Sequence, residues 1–157
     1  MDSAILMKII EVKKKAGQPI QMTVVGDSMH PVLNHLDVIT VLNLDQYQIG
    51  DILVYLYKHN EILIHRFIKE SIGKYYCKGD NSFRLEDVEK SQVIGRAQSV
   101  KRGDREIEIL NPGKEFIEKS NAIGQEFIKN RYDIVKTKQS EIYKDYEIFY
   151  LKRGMIP

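Results

Sequence analysis

The sequence predicts a mainly β fold: a compact antiparallel β domain with a short helix before it and helices after it. Residues 20–110 contain seven short runs rich in β-branched and aromatic residues, separated by turns rich in Gly, Asp and Asn. Apolar residues at helical spacing are absent there but occur on both sides. We therefore expect an N-terminal helix in residues 1–17, a β domain in residues 18–110 and a helical extension in residues 111–157.

The N-terminal helix is expected to end near Lys15, with Ile5, Ile9 and Val12 on one face. Strands are expected in the seven runs IQMTVV, LDVITVL, DILVYLY, EILIHRFI, KYYCK, SQVIGRAQSV and REIEIL. Because several of these runs alternate and all are short, they suit an antiparallel sheet better than helices.

The C-terminal segment is expected to begin at Asn111-Pro112, with Asn as the N-cap and Pro in the first turn. Its apolar residues recur at helical spacing, with a break expected within residues 131–139. This pattern predicts one long helix or a two-helix hairpin that packs on the β domain. A protein partner or a dimer contact through these helices is the alternative.

Composition narrows the function classes. The chain has 157 residues, 43% hydrophobic and 29% charged, with a net charge of +2, so it suits a globular protein without a basic field for nucleic acid. Cys77 is the only cysteine, which rules out an internal disulfide. The apolar run SAILMKII is too short and too charged to span a membrane. We expect a cytoplasmic protein without a cofactor or a metal.

Ser28 is the first candidate for chemistry, since it lies in a Gly-Asp-Ser turn directly after a β run. A serine hydroxyl needs a neighbouring base to act as a nucleophile. Among the histidines, His65 is the best candidate, because it lies mid-strand with Leu63 and Phe67 on the same face. Apolar neighbours favour the neutral, proton-accepting imidazole. A purely structural histidine is the alternative on this evidence alone.

A carboxylate would complete such a site by orienting the histidine. Asp80, in the Lys-Gly-Asp-Asn turn, is the leading candidate, with Glu86 and Asp87 in reserve. Read alone, this segment is an ordinary hairpin turn. Cys77 is a weaker alternative nucleophile, because its neighbours indicate a strand and a turn.

The blocks GDSMHP, IGDILVY, LIHRF, KGDN and VIGRA, in this order over roughly residues 20–100, resemble a group of serine peptidases. This group unites type I signal peptidases with self-cleaving SOS and phage repressors. The resemblance implies that Ser28 is the nucleophile. The archaeal and endoplasmic-reticulum branch has a histidine base in an HR block, here His65-Arg66, and a Lys-Gly-Asp turn, which gives Asp80 its role.

Two residues depart from the family pattern. Val32 and Leu36 stand where threonine and glycine are expected, which bears on the shape of the substrate groove. The sequence also offers no candidate for the membrane anchor of signal peptidases or for the repressors' DNA-binding unit.

We therefore expect a soluble serine endopeptidase that binds a peptide or protein as an extended strand, for example to remove a leader from a small precursor. Ser28 attacks the peptide carbonyl while His65 takes its proton, and the N–H groups of Ser28 and Asp27 stabilise the oxyanion. Two alternatives stay open. One is a self-cleaving regulator that cuts at Ala16-Gly17, and the other is a non-catalytic binding module.

Overall fold

The computed structural model describes residues 3–153, apart from the side chains at positions 3, 59 and 151–153. Within these residues, eight strands form one antiparallel sheet, with one α-helix before it and three after it. The predicted mainly β fold with N-terminal and C-terminal helices is thus confirmed. The strands are β1 (Ile20–Thr23), β2 (Val38–Leu42), β3 (Ile52–Tyr57), β4 (Glu61–Ser71), β5 (Lys74–Lys78), β6 (Glu86–Val88), β7 (Val93–Arg102) and β8 (Arg105–Glu108), and the helices are α1 (Ser3–Lys15), α2 (Lys114–Lys129), α3 (Ile134–Lys138) and α4 (Glu141–Arg153).

The sheet follows the strand order β1-β2-β7-β3-β4-β5-β6, and β8 pairs with β7. The long strand β4 joins two parts of this sheet. Its residues 61–66 pair with β3, whereas its pairing with β5 begins only at Arg66 and includes a bulge between Phe67 and Lys69. Consequently the segment 61–65 has a strand partner on one side only within the described part of the chain.

Successive residues of the central strands supply hydrophobic clusters on the two faces of the sheet. Ile52 and Val54 face the cluster that also contains Ile10 of α1, whereas Leu53 and Tyr55 face the opposite cluster. A third cluster joins the C-terminal helices to the segment between β5 and β6; its buried members are Ile68, Phe83, Phe116, Ile117, Ile123, Phe127, Tyr143, Tyr146 and Tyr150. Full burial of one such apolar side chain contributes about 1.5–3 kcal/mol. The C-terminal helices therefore pack firmly beside β5 and β6.

The expected apolar face of α1 does not pack on the sheet. Ile5, Ile9 and Val12 are exposed, while Ile10 is buried, with Leu6 beside it in the same cluster. The helix carries two apolar stripes at helical spacing, and only the contact with the sheet decides which one is buried.

The C-terminal helices begin later than predicted. Helix α2 starts at Lys114, and its N-cap is Gly113. The Asn111 side chain is not a helix cap: its Nδ2 donates to the Ile49 carbonyl at 2.8 Å and its Oδ1 accepts from the Gly113 N–H at 2.9 Å. The prediction of one long helix or a two-helix hairpin is wrong: α2 ends at Lys129, the short helix α3 lies within residues 131–139, where a break is predicted, and the chain leaves the helical conformation on both sides of it.

The search of the described residues for a helix that is both long and apolar enough to cross a lipid bilayer finds none.

Candidate active site

Ser28 lies in a turn that follows β1. Gly26 has a φ of 88°, a left-handed conformation that glycine adopts without strain. The His30 N–H donates to the Asp27 carbonyl at 3.0 Å, which closes the turn around the serine. Met29 is buried, so the backbone at this point is anchored in the core while the Ser28 side chain stays half-buried at the surface.

The structure brings Ser28 and His65 together. The Ser28 hydroxyl lies 3.0 Å from His65 Nε2, a hydrogen-bonding distance. His65 belongs to β4 and is only 7% exposed, so its ring orientation is fixed by the surrounding strands. This nucleophile–base contact is the geometry that nucleophilic catalysis by serine requires.

Glu86, rather than Asp80, contacts the other side of the imidazole. Glu86 Oε1 lies 2.5 Å from His65 Nδ1. The Tyr55 hydroxyl donates to the same oxygen at 2.6 Å, and Arg84 Nε donates to Oε2 at 3.0 Å. The carboxylate is buried and both of its oxygens are occupied by donors.

These donors determine the charge of Glu86. Burial raises its pKa, but the hydrogen bond and charge of His65 and the hydrogen bonds from Tyr55 and Arg84 outweigh burial and lower the pKa overall. Glu86 is therefore ionised at neutral pH and can only accept hydrogen bonds. His65 must then donate from Nδ1, and in the neutral imidazole this tautomer leaves the Nε2 lone pair to accept the Ser28 proton.

The expectation that Asp80 steadies His65 is wrong. Its carboxylate receives two hydrogen bonds from Arg66, from Nε at 2.9 Å and from Nη2 at 2.7 Å. The Arg66 Nη1 also donates to the Gly50 carbonyl at 2.8 Å. Residues 65 and 66 point to opposite faces of β4, so the turn that carries Asp80 meets the arginine and not the histidine.

Strand β6 explains why Glu86 takes this position. Glu86 pairs with Cys77 in β5, which aligns its side chain with the face of the sheet that carries His65. The other reserve candidate, Asp87, is exposed and pairs with Lys74 at 3.3 Å. Sequence reasoning missed β6 because three residues show no clear alternation. It also missed Tyr55, for which strand alternation is the only signal, and Arg84, which lies outside the strands just before β6.

The turn also offers hydrogen-bond donors for an oxyanion. Within the described residues, neither the N–H of Asp27 nor that of Ser28 donates a hydrogen bond to the protein. Backbone N–H groups beside a nucleophile are the usual donors to a developing negative oxygen. Both predicted groups are thus available for that role.

Two other reactive side chains lie near the site but are occupied or buried. Burial lowers the pKa of Lys78 to about 7, partly offset by the Asp80 charge, but its Nζ donates to the carbonyls of Gly79 at 2.8 Å and Ser82 at 2.7 Å. Cys77 is fully buried, and burial raises the pKa of its thiol. Neither side chain is in a position to replace Ser28 or His65.

Comparison with known families adds one decisive finding: residues 4–98 match the model of the Peptidase S24-like family. The chain belongs to this family. The S24-like match contains Ser28, His65 and Glu86 and ends before the C-terminal helices. Its members include self-cleaving repressors and signal peptidases, so the family fits a serine peptidase or a self-cleaving repressor. Neither the comparison with curated proteins nor that with solved structures found a match.

Proposed function

We propose that this S24-like chain is a serine endopeptidase of the Ser-His type found in archaeal and endoplasmic-reticulum signal peptidases. Ser28 is the nucleophile, His65 the general base and Glu86 the residue that orients His65. One observation carries the proposal: the Ser28 hydroxyl is 3.0 Å from His65 Nε2, while Glu86 holds Nδ1.

The reaction starts when Ser28 Oγ bonds to the carbonyl carbon of the peptide and its proton passes to His65 Nε2. Glu86 stabilises the resulting imidazolium, and the N–H groups of Asp27 and Ser28 bind the oxyanion. His65 then gives the proton to the leaving amine, which leaves an acyl-enzyme. Water hydrolyses this ester with His65 again as the base.

An extended peptide is the proposed substrate. The segment 61–65 of β4, which ends at His65, has an unpaired edge within the described chain, and β1, which leads into the Ser28 turn, lies at the edge of the sheet. A peptide can add to such edges through main-chain hydrogen bonds. This mode selects unstructured segments, such as the leader of a small precursor peptide.

Cleavage of another molecule is favoured over self-cleavage at Ala16-Gly17. The N–H of Gly17 donates to the Lys14 carbonyl at 3.1 Å, and that of Gln18 donates to the Lys13 carbonyl at 2.9 Å. This peptide bond therefore lies in the turn that ends α1, whereas a strand-binding site needs an extended segment.

A library of synthetic, unstructured peptides, analysed by mass spectrometry, tests the proposal. The wild-type protein should cleave a subset of these peptides, and Ser28→Ala should lower the rate by about 10⁴-fold or more while the chain stays folded. The matched control is Ser91→Ala, which makes the same change at an exposed serine just before β7. It should retain the wild-type rate.

Three results would count against the proposal. Full activity in Ser28→Ala would remove the nucleophile from its role. If the wild-type protein cleaves no peptide and a fluorophosphonate probe does not label Ser28, the chain is a binding module. A loss of residues 1–16 from the intact mass without added peptide would instead identify the self-cleaving regulator.

A further inference from the structure

We propose that the C-terminal helices act in catalysis by holding the segment 79–86, and that Tyr146 is a positioning residue for Ser28. This inference rests on the proposed peptidase function. It concerns α2 and α4, which lie outside the segment that matches the S24-like family.

The segment 79–86 contacts both ends of the candidate catalytic site. The Asn81 N–H donates to the Ser28 carbonyl at 2.8 Å, and Asn81 Nδ2 donates to the Asp27 carbonyl at 3.1 Å. The segment and the serine pack closely, because a Cβ on Gly79 would lie 2.6 Å from the backbone carbonyl oxygen of Ser28. The segment ends at Glu86, which holds His65. A shift of the segment therefore displaces the nucleophile and the base together.

Tyr146 of α4 holds the start of this segment. Its hydroxyl donates to the Asp80 carbonyl at 2.5 Å, and the side chain is only 1% exposed. The ring is fixed by stacking on Tyr150, with centroids 5.3 Å apart, and by Phe116 at 5.5 Å. Lys78 Nζ lies 4.9 Å from the same ring. The rigid ring thus aims its O–H at the backbone of the residue that precedes Asn81.

Helix α2 holds the other end of the segment. Gly124 packs so closely against Leu85 that a Cβ at this position would lie 2.5 Å from the Leu85 Cγ. Leu85 immediately precedes Glu86, so the packing at Gly124 restricts the position of the residue that orients His65. In the middle of the segment, Phe83 packs on Phe127 of α2.

These contacts complement those from the sheet. The Asp80 carboxylate is bound by Arg66 of β4, while the Asp80 carbonyl is bound by Tyr146 of α4. The turn is therefore fixed from two sides. A displacement of about 1 Å at a reacting group can lower a rate by about 10²-fold. Losing the helix-side contact should therefore reduce catalysis even when the fold survives.

Tyr146→Phe tests this inference, because it removes the hydroxyl and keeps the ring. With the best-cleaved peptide of the library, kcat should fall about threefold to tenfold, the factor that one hydrogen bond commonly contributes, while KM stays within about twofold. The Asn81 amide should also exchange its hydrogen faster by a similar factor, since its bond to Ser28 weakens.

Tyr143→Phe is the matched control in the same helix. Tyr143 is also buried and packs edge-on against Phe83, but no hydrogen bond within the described residues joins its hydroxyl to the segment 79–86. This variant should keep kcat and the Asn81 exchange rate within about twofold of the wild type. Thermal unfolding of both variants separates general destabilisation from positioning. Equal losses of kcat in both, or wild-type kcat and exchange in Tyr146→Phe, would overturn the inference.

Gly124→Ala provides a second, independent test if Tyr146→Phe does not fold. The added methyl group displaces Leu85 and should lower kcat about threefold or more with little change in KM; an unchanged kcat then rejects the positioning role. The exchange measurement needs no substrate. If the wild-type protein cleaves nothing, the proposed peptidase function fails, whereas the exchange rate of Asn81 still reports on the helix contact.

Discussion

Two buried pairs of a basic side chain and a carboxylate occupy neighbouring positions on β4, and they differ in the chemistry available to them. His65 pairs with Glu86, and Arg66 pairs with Asp80, so each basic side chain meets a carboxylate from the chain that follows β5. The imidazole still has Nε2 available for the Ser28 hydroxyl, at 3.0 Å. The guanidinium, by contrast, donates from both of its Asp80-facing nitrogens to the carboxylate and from Nη1 to the Gly50 carbonyl.

The difference between these pairs comes from the chemistry of the two basic side chains rather than from burial. All four side chains are at least nine-tenths buried. Histidine gains and loses a proton near neutral pH, whereas arginine stays charged and binds a carboxylate in a fixed fork geometry. The His65–Glu86 pair can therefore move a proton, while the Arg66–Asp80 pair can only fix the turn beside Ser28.

The sharpest way to separate the two pairs is Glu86→Gln. The new amide must direct its NH₂ group either at His65 and Tyr55 or at Arg84, so one set of donors loses its acceptor. We expect kcat for peptide cleavage to fall by about 10²–10⁴-fold, because the first orientation removes the acceptor that fixes the His65 tautomer, and in either orientation a neutral amide stabilises the imidazolium less than a carboxylate does.

Asp87→Asn is the matched control for this change, since the neighbouring carboxylate is exposed and makes only a surface pair with Lys74. Its kcat should equal that of the wild type. A Glu86→Gln variant with wild-type kcat would show that Glu86 does not orient the base.

Asp80→Asn should have its largest effect on stability. It leaves the Arg66 charge buried without a counter-charge, which commonly costs about 3–5 kcal/mol. Urea unfolding should therefore show a much larger loss in the free energy of unfolding for Asp80→Asn than for Asp87→Asn. Equal unfolding midpoints for the two variants would contradict the structural role of the Arg66–Asp80 pair.

Lys78 should make a smaller contribution, a dependence of the free energy of unfolding on pH. Burial lowers its pKa to about 7, whereas lysine in an unfolded chain titrates at about 10.4. Between these values the unfolded state binds a proton that the folded state lacks, so the free energy of unfolding should rise with pH from 7 upward. The contribution of this group is at most about 1.4 kcal/mol per pH unit.

Urea unfolding at pH 7 and pH 9 measures this contribution. Lys78→Met should lose it, while Lys90→Met, which changes an exposed lysine, should keep the wild-type dependence. If Lys78→Met and the wild type respond equally to pH, Lys78 is not neutral in the folded protein.

Local patterns were sufficient for the fold class and for two of the site residues. Short alternating runs separated by turns predict an antiparallel sheet, because pleating and turn chemistry act over a few residues. The same local signals mark Ser28, in its Gly-Asp-Ser turn, and His65, in the middle of a strand, as candidates, and the family resemblance implies their roles. Their mutual contact is not a local property: β2, β7 and β3 lie between β1 and β4 in the sheet, so only the tertiary structure brings the two side chains together.

The sequence alone left the partner of His65 open among Asp80, Glu86 and Asp87. Only the tertiary structure decides between them, because the choice depends on strand pairing across β5 and β6 and on which face of β4 each turn meets. The same holds for Tyr146, whose bond to the Asp80 carbonyl joins residues 66 positions apart. Sequence periodicity reports which face of an element is apolar, but the identity of a distant partner is set by packing in three dimensions.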